Sequence, residues 1–282
     1  MADLKRKAGE DAAQSTSKRK KQWRVPRKDD AGSYSKAIQP GDSGIWATCD
    51  KGREGKCIGE LRDLFAEYAE NMSSEAASNG GDGEAQAEAG AETESGGGIE
   101  SEIQAEIDDM HEAKKTQLFT PLRVDVQCVV FMKTAPPINP VTLVKQICQD
   151  AMDDSAKGKR TRFVKRLSPM TEIGRASTEG LEKVATSVLA PHFHLQPAVP
   201  RKFAIRPTLR NHNILTRDSV IQQIAKIVGP GHTVDLKNYD LLIVVEVYQN
   251  ICGVSVLDNS FERLKRYNLA EIYSPTPVAP KE

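Results

Sequence analysis

Basic and amide side chains are concentrated in Arg201–Arg217, called here the second basic segment, which holds five Lys or Arg residues and no acidic residue. Arginine offers planar forks for phosphate, asparagine can read base edges, and histidine can stack on a base. Any one of these residues alone is equally typical of a solvated surface. As a cluster they predict an RNA-contacting surface, with Lys237 added from the turn before the next strand. The candidate residues are Lys202, Arg206, Arg210, Asn211, His212, Asn213, Arg217 and Lys237.

A second candidate patch precedes it in the chain. Lys157–Arg166, called here the first basic segment, has six basic residues in ten and no acid. It leads into a short predicted strand, so its charge belongs to a folded surface rather than to a free tail. We expect it to extend the RNA footprint along a stem. Its candidate residues are Lys157, Lys159, Arg160, Arg162, Lys165 and Arg166.

Other reactive residue types give weak signals. The glycine-rich loop Cys49–Cys57 lies between a predicted strand and helix, but it lacks the glycine and hydroxyl positions of a nucleotide-binding P-loop. His192 and His194 have no third metal ligand nearby in the sequence. The cysteines are scattered, and no paired carboxylates or nucleophile–base arrangement stand out. We therefore predict no catalytic residues, no cofactor and no metal; the chain is not expected to be an enzyme.

The formal net charge of zero hides a strong segregation of charge. Residues 1–36 carry 11 basic and 5 acidic residues, residues 63–113 carry 15 acidic and no basic residues, and residues 114–282 carry 24 basic and 15 acidic residues. We interpret residues 1–43 as a disordered basic arm and residues 71–98 as a disordered acidic insert. The paired clusters Lys5–Lys7 and Lys18–Lys21 predict import into the nucleus, with the nucleolus as the narrower expectation; RNA affinity of the arm is the alternative. No apolar run predicts a membrane span.

Hydrophobic patterning predicts an α+β fold in two units. In residues 44–174 the expected order is strand, helix, strand, helix, strand, which suits a ferredoxin-like sheet; the middle strand is read from the alternation over Leu122–Met132. Asn139 is expected to cap the second helix, and the first should bury one apolar stripe, Ile58, Leu61, Leu64, Phe65 and Tyr68. Residues 175–273 form the second unit, with helices beginning at Thr178 and Thr216. The first of these helices is expected to end at Pro191 and to bury the stripe Leu181, Val184, Ala185, Val188 and Leu189. Its centre is a hairpin within Val234–Leu257 that turns at Gln249-Asn250. Residues 274–282 are a tail.

Four short motifs and their order resemble a known family. They are Gly44–Lys56, Lys202–Arg206, Arg210–Asn213 and Val247–Gly253. The second unit resembles a THUMP domain, and the whole arrangement is similar to the THUMP-domain tRNA acetylation adaptors. The hairpin ends about 25 residues before the end of the chain, so we do not expect the catalytic domain that most THUMP proteins carry.

The resemblance implies an accessory subunit that grips the acceptor end and stem of tRNA, including the 3′ CCA. It implies delivery of that tRNA to a separate RNA cytidine acetyltransferase, which forms N4-acetylcytidine in the D-arm of leucine and serine tRNAs. We expect a monomer outside that complex, with no membrane partner. Two alternatives stay open: a minimal tRNA-modifying enzyme with an unrecognised site, and a general binding factor for structured RNA or ribosome biogenesis.

Overall fold

A computed structural model describes residues 37–78, 118–122, 124, 126–153, 159–197 and 199–275 of the chain. The predicted arm up to residue 36, the greater part of the acidic insert, Lys157 and most of the tail lie outside these residues. The elements before the second basic segment are β1 Ser43–Thr48, α1 Glu54–Ser78, β2 Phe119–Leu122, β3 Val129–Thr134, α2 Pro140–Asp153, β4 Arg166–Met170, β5 Glu172–Arg175 and α3 Thr178–Phe193. The later elements are β6 Lys202–Arg210, α4 Arg217–Val228, β7 Thr233–Val234, β8 Leu241–Tyr248, β9 Ile251–Asp258, α5 Ser260–Arg263, the turn Lys265–Tyr267 and α6 Leu269–Tyr273.

The first sheet has the strand order β2-β3-β1-β4, and each neighbouring pair is antiparallel. Helix α1 follows β1 and buries the predicted apolar stripe, including Leu61 and Phe65 at 0% exposure. Helix α2 begins as predicted, because the Asn139 carboxamide oxygen accepts hydrogen bonds from the Val141 amide at 2.9 Å and the Thr142 amide at 3.3 Å. The described elements of this half therefore run β-α-β-β-α-β.

The single strand predicted over Leu122–Met132 is wrong. The chain there forms β2 and β3, joined by a turn in which Cys128 has φ 65°. The Glu54 carboxylate at the start of α1 accepts a hydrogen bond from the Cys128 amide at 2.9 Å and so holds this turn. Apolar residues alternate on both sides of the turn, so the period of two continues across it and conceals the reversal.

The second sheet has the order β5-β9-β8-β6-β7. The predicted hairpin is confirmed: β8 and β9 pair antiparallel around Gln249-Asn250, and Gln249 has φ 48°. Val234 does not belong to that hairpin, because it lies in β7, which pairs in parallel with β6. Strand β6 also pairs in parallel with β8 and continues beyond Arg206 to Arg210. The predicted boundary at Arg175 falls on the last residue of β5, which pairs with β9.

Two helices cover one face of the second sheet. Helix α4 is capped as predicted, with a reciprocal pair of hydrogen bonds between Thr216 and Ser219. Helix α3 is capped by Ser177 rather than by Thr178, since the Ser177 hydroxyl accepts from the Gly180 amide at 3.1 Å. It also continues past Pro191 to Phe193. Its expected buried stripe is confirmed by Leu181, Val184, Ala185, Val188 and Leu189.

The opposite face of the second sheet packs against the first sheet in one continuous apolar core. Trp46 of β1 meets Tyr248 of β8 edge-on, with ring centroids 5.5 Å apart. Gly253 of β9 lies so close to Met170 of β4 that a Cβ there would come within 2.6 Å of the methionine sulfur. The two sheets are therefore fixed against each other by side-chain packing, and the surface where they meet has a defined shape.

Candidate nucleic-acid interface

A groove of about 410 Å³ lies where the two sheets meet. Its lining combines cations with apolar and aromatic surface, including Trp46, Pro207, Leu257 and Phe261. Both halves of the chain supply positive charge, since one lining arginine comes from β4 and the others come from residues 206–266. The five lining arginines are Arg166, Arg206, Arg210, Arg217 and Arg266. Arginine above apolar and aromatic groups is a combination that suits phosphate contact together with base stacking.

Strand β6 supplies two of these arginines because its side chains alternate between the faces of the sheet. Arg206 and Arg210 are four residues apart, so both point to the face that meets the first sheet. Arg217 reaches the same groove from the first turn of α4, where its guanidinium donates to the Pro207 carbonyl at 3.2 Å. Three residues of the second basic segment thus meet in one place.

Glu246 holds Arg210 in the groove. Its carboxylate accepts from the Arg210 guanidinium at 2.6 Å, and its side chain is 7% exposed. Burial raises the pKa of Glu246, although Arg210, a hydrogen bond from Thr208 and the charge of Arg166 act to lower it. Glu246 interrupts the apolar run of β8, and this interruption is the sequence signal that could have identified the position. We expected only Lys237 to contribute from this region, whereas Val244, Glu246 and Leu257 line the groove.

Glu262 of α5 bridges two other arginines. Its carboxylate accepts from Arg206 at 2.9 Å and from Arg266 at 2.7 Å. Burial opposes ionisation of Glu262, but the hydrogen bonds from Arg266 and Arg206 outweigh it and hold the pKa of this carboxyl below its usual value. The Arg206 guanidinium also lies 5.3 Å from the centroid of the Phe261 ring, within the range of a cation–π contact.

Arg266 lies in an unusual backbone turn. Lys265, Arg266 and Tyr267 have φ of 52°, 57° and 57°, three successive non-glycine residues in the left-handed region. This conformation costs roughly 1–2 kcal/mol per residue. Tyr267 anchors the turn, because it is 1% exposed and packs edge-on against Phe261 with ring centroids 5.0 Å apart. Sequence reasoning missed Arg266, since its segment reads as an ordinary closing helix with apolar Phe261, Leu264 and Tyr267.

The remaining predicted residues of the second basic segment lie at the two ends of β6. Lys202 is at the start of the strand, 3.6 Å from Asp235, whose carboxylate also accepts from the Lys237 amide at 3.0 Å. Asn211 and Asn213 are exposed beyond its other end. These residues do not line the groove.

His212 has a structural role in its own loop. Its Nε2 accepts from the Leu215 amide at 2.7 Å, and its Nδ1 bonds to the Gln249 carbonyl. The proton must therefore be on Nδ1, because a carbonyl can only accept. RNA contact by His212 or by the other predicted residues stays a prediction.

The first basic segment does not form a single patch with the groove. Arg166 is the one residue of its described part that lines the groove. Arg160 pairs with Glu67 and lies 5.5 Å from the Tyr68 ring centroid, while Lys165 pairs with Asp50. Lys159 and Arg162 are exposed, and Lys157 lies outside the described residues.

Other candidate chemistry is not assembled within the described part of the chain. No group of three or more potential metal-ligating His, Cys, Asp or Glu residues occurs there. His194 instead contacts the Ile227 carbonyl through Nε2 at 2.9 Å. Of the helices among these residues, none has the length and apolar character needed to cross a membrane.

Comparison with known proteins identifies the second unit. Residues 175–257 match the family model described as THUMP domain. A Saccharomyces cerevisiae protein named tRNA acetyltransferase TAN1 is 32% identical over 292 aligned residues, covering 97% of this chain and 95% of that protein. An uncharacterised Schizosaccharomyces pombe protein is 36% identical, covering 84% of this chain and 77% of that protein. Mouse THUMP domain-containing protein 1 is 30% identical, covering 87% and 68% respectively.

These relatives extend well beyond the matched domain and include the half that carries β1 to β4. Their similarity, the THUMP match and the groove indicate a tRNA-related function built on an RNA-binding domain. The chain belongs to the THUMP-domain tRNA acetylation adaptor family.

Proposed function

We propose that this protein is a non-catalytic adaptor that binds tRNA and presents it to a separate RNA cytidine acetyltransferase. The observation that carries the proposal is the convergence of five arginines from both halves on one groove with apolar and aromatic lining. Such a groove can bind phosphates and stack bases without altering a covalent bond. The name of the yeast relative supplies the reaction class.

The finer points of the proposal are supported by the resemblance and, for the nucleus, by the paired basic clusters Lys5–Lys7 and Lys18–Lys21. The product is N4-acetylcytidine in the D-arm of leucine and serine tRNAs, and the groove receives the acceptor end and adjoining stem. The first half is a ferredoxin-like domain that completes the RNA surface beside the THUMP domain. The protein is a monomer outside the complex and works in the nucleus, within the nucleolus.

A catalytic role is the rival, and one observation favours it: the yeast relative is itself named an acetyltransferase. The groove lining contains five arginines but no cysteine, lysine or histidine, so its serine and threonine hydroxyls have no thiol, amine or imidazole partner within that lining to activate them. The buried cysteines are poor candidates elsewhere, since burial raises the pKa of the Cys252 thiol to about 11. The described residues therefore fit an RNA-binding adaptor better than an enzyme.

Reconstitution of the acetylation reaction distinguishes the adaptor from the enzyme. Purified protein is incubated with a leucine tRNA transcript and acetyl-CoA, with and without the separate acetyltransferase, and acetylcytidine is measured by nucleoside mass spectrometry. We expect product only when the acetyltransferase is present, and more of it with this protein than without. Product formed by this protein alone would overturn the adaptor proposal. Equal binding of tRNA and unrelated structured RNAs, with no stimulation of the acetyltransferase, would favour a general RNA-binding factor.

A further inference from the structure

The bridge formed by Arg206, Glu262 and Arg266 places two cations on one carboxylate at the groove. The two oxygens of the Glu262 carboxylate each take a different arginine: Oε1 accepts from Arg206 Nη2 at 2.9 Å, and Oε2 from Arg266 Nε at 2.7 Å. One carboxylate thus holds both guanidinium groups at the groove, each through a different oxygen. Two neighbouring guanidinium groups suit a phosphodiester, which also presents two oxygens on one atom.

Both arginines keep donors available. A guanidinium has five N–H groups, and the hydrogen bonds to Glu262 use one from each side chain. The side chains of Arg206 and Arg266 are 37% and 55% exposed, so their remaining donors can reach a ligand in the groove. Phe261 supports Arg206 from its ring face, and the anchored turn fixes Arg266.

We propose that Arg206 and Arg266 form a clamp for one phosphodiester of the RNA, and that Glu262 is the positioning residue that preorganises them. The clamp rests on the proposed function and adds Arg266, on its left-handed turn, to the RNA-contacting residues. Glu262 orients the two guanidinium groups before RNA arrives, so less side-chain freedom is lost on binding. An acidic peptide is the competing ligand class, but the apolar and aromatic lining of the groove favours a polymer that also carries bases.

The first experiment compares three single variants of the full chain that each remove one positive charge. Arg266→Ala is set against Arg263→Ala and Lys265→Ala, which change exposed neighbours outside the groove lining. Affinity for labelled tRNA is measured by fluorescence anisotropy over a series of salt concentrations. We expect Arg266→Ala to weaken binding about 10-fold and to lower the salt slope by nearly one, with changes under about 2-fold for the two controls.

The second experiment asks whether Glu262 positions the two arginines or only lowers the positive charge of the groove. The two roles predict opposite changes in tRNA affinity. Loss of a negative charge strengthens RNA binding if only the general field matters, so Glu262→Gln should then bind tRNA more tightly. The clamp predicts weaker binding, by about 3-fold, because the arginines lose their common anchor. Glu271→Gln is the matched control, since Glu271 contributes to the field at Arg266 without joining the bridge. That variant should bind as wild type does, or slightly more tightly.

Three outcomes would overturn the clamp. They are equal losses for Arg266→Ala and its two controls, tighter binding by Glu262→Gln, and displacement of tRNA by polyglutamate with a loss of polyglutamate affinity in Arg266→Ala. In each case wild-type binding of tRNA would leave the adaptor function standing. Failure of the wild-type protein to bind tRNA at all would instead reject the proposed function together with the clamp.

Discussion

Arg210 and Arg160 each pair with a carboxylate, yet the two ion pairs have very different surroundings. Glu246, the partner of Arg210, is 7% exposed and lies in a groove with four other arginines. Glu67, the partner of Arg160, is 53% exposed on the outer side of α1. An exposed pair is weak and easily exchanged, whereas a half-buried pair beside further cations fixes the direction of its arginine.

The difference shows that the density of charge along the chain is a poor guide to a binding site. The first basic segment is the denser of the two in sequence, with six basic residues in ten. Arg160 and Lys165 nevertheless pair with Glu67 of α1 and with Asp50 of the loop before α1, and of its described residues only Arg166 lines the groove. The second basic segment is sparser, but strand alternation and the shared core direct Arg206, Arg210 and Arg217 into one groove.

The largest expected effect comes from removing two arginine side chains that line the groove. Arg206→Ala combined with Arg210→Ala should weaken tRNA binding at least about 30-fold and lower the salt slope by about two, because two charged phosphate contacts are lost. Arg160→Ala with Lys165→Ala removes the same charge from the first basic segment and should cost under about 3-fold. Anisotropy titrations with melting temperatures as a folding check measure both. Equal losses of tRNA affinity in the two double variants would show that the two basic segments contribute equally to binding.

A smaller effect should separate two adjacent residues of the first basic segment. Arg166 lines the groove and Lys165 pairs with exposed Asp50. Arg166→Ala should reduce tRNA affinity about 5-fold, and Lys165→Ala less than about 2-fold, because only the former removes a cation facing the groove. The same binding assay at a fixed salt concentration measures the difference in affinity between the two variants. A larger loss for Lys165→Ala would place the path of the RNA along the first segment.

The smallest effect concerns pH, and the two groove carboxylates should respond in opposite directions. The pKa of Glu246 is raised by burial, so its contribution to stability is full below its unfolded pKa of about 4.5 and is lost as pH rises through the folded value. The pKa of Glu262 is lowered, despite burial, by hydrogen bonds from Arg266 and Arg206. Its contribution is therefore present above about 4.5 and is lost as pH falls through the folded value.

Melting temperatures of wild type, Glu246→Gln and Glu262→Gln from about pH 3 to pH 7 test this prediction. The advantage of wild type over Glu246→Gln should shrink as pH rises above about 4.5. Its advantage over Glu262→Gln should shrink as pH falls below about 4.5. Parallel curves for the two variants would contradict the assignment of opposite shifts.

Local patterns predicted much of the fold because they depend on neighbours in sequence. The caps at Asn139 and Thr216, the turn at Gln249-Asn250 and the apolar stripe of α3 all follow from short-range chemistry. The reversal at Cys128 escaped because alternation continues on both sides of it. Here periodicity carried no information about where a strand ends.

The candidate site was less accessible to sequence reasoning, since it depends on contacts between distant segments. Arg166 and Arg266 are a hundred residues apart in number and meet only because the two sheets share a core. The orientation of Arg266 further depends on a left-handed turn that no residue type in Lys265–Tyr267 signals. Glu246 was missed too, although a carboxylate inside an apolar strand is a signal that the sequence itself carries.

Trp46 gives the groove a built-in optical probe. Its ring is 4% exposed, lines the groove and touches Tyr248 edge-on, so its emission depends on what occupies that space. The chain contains two tryptophans, and the other, Trp23, lies in the basic arm. Replacing Trp23 with phenylalanine leaves a single indole at the junction of the two sheets. Fluorescence from that indole follows events in the groove without any attached label.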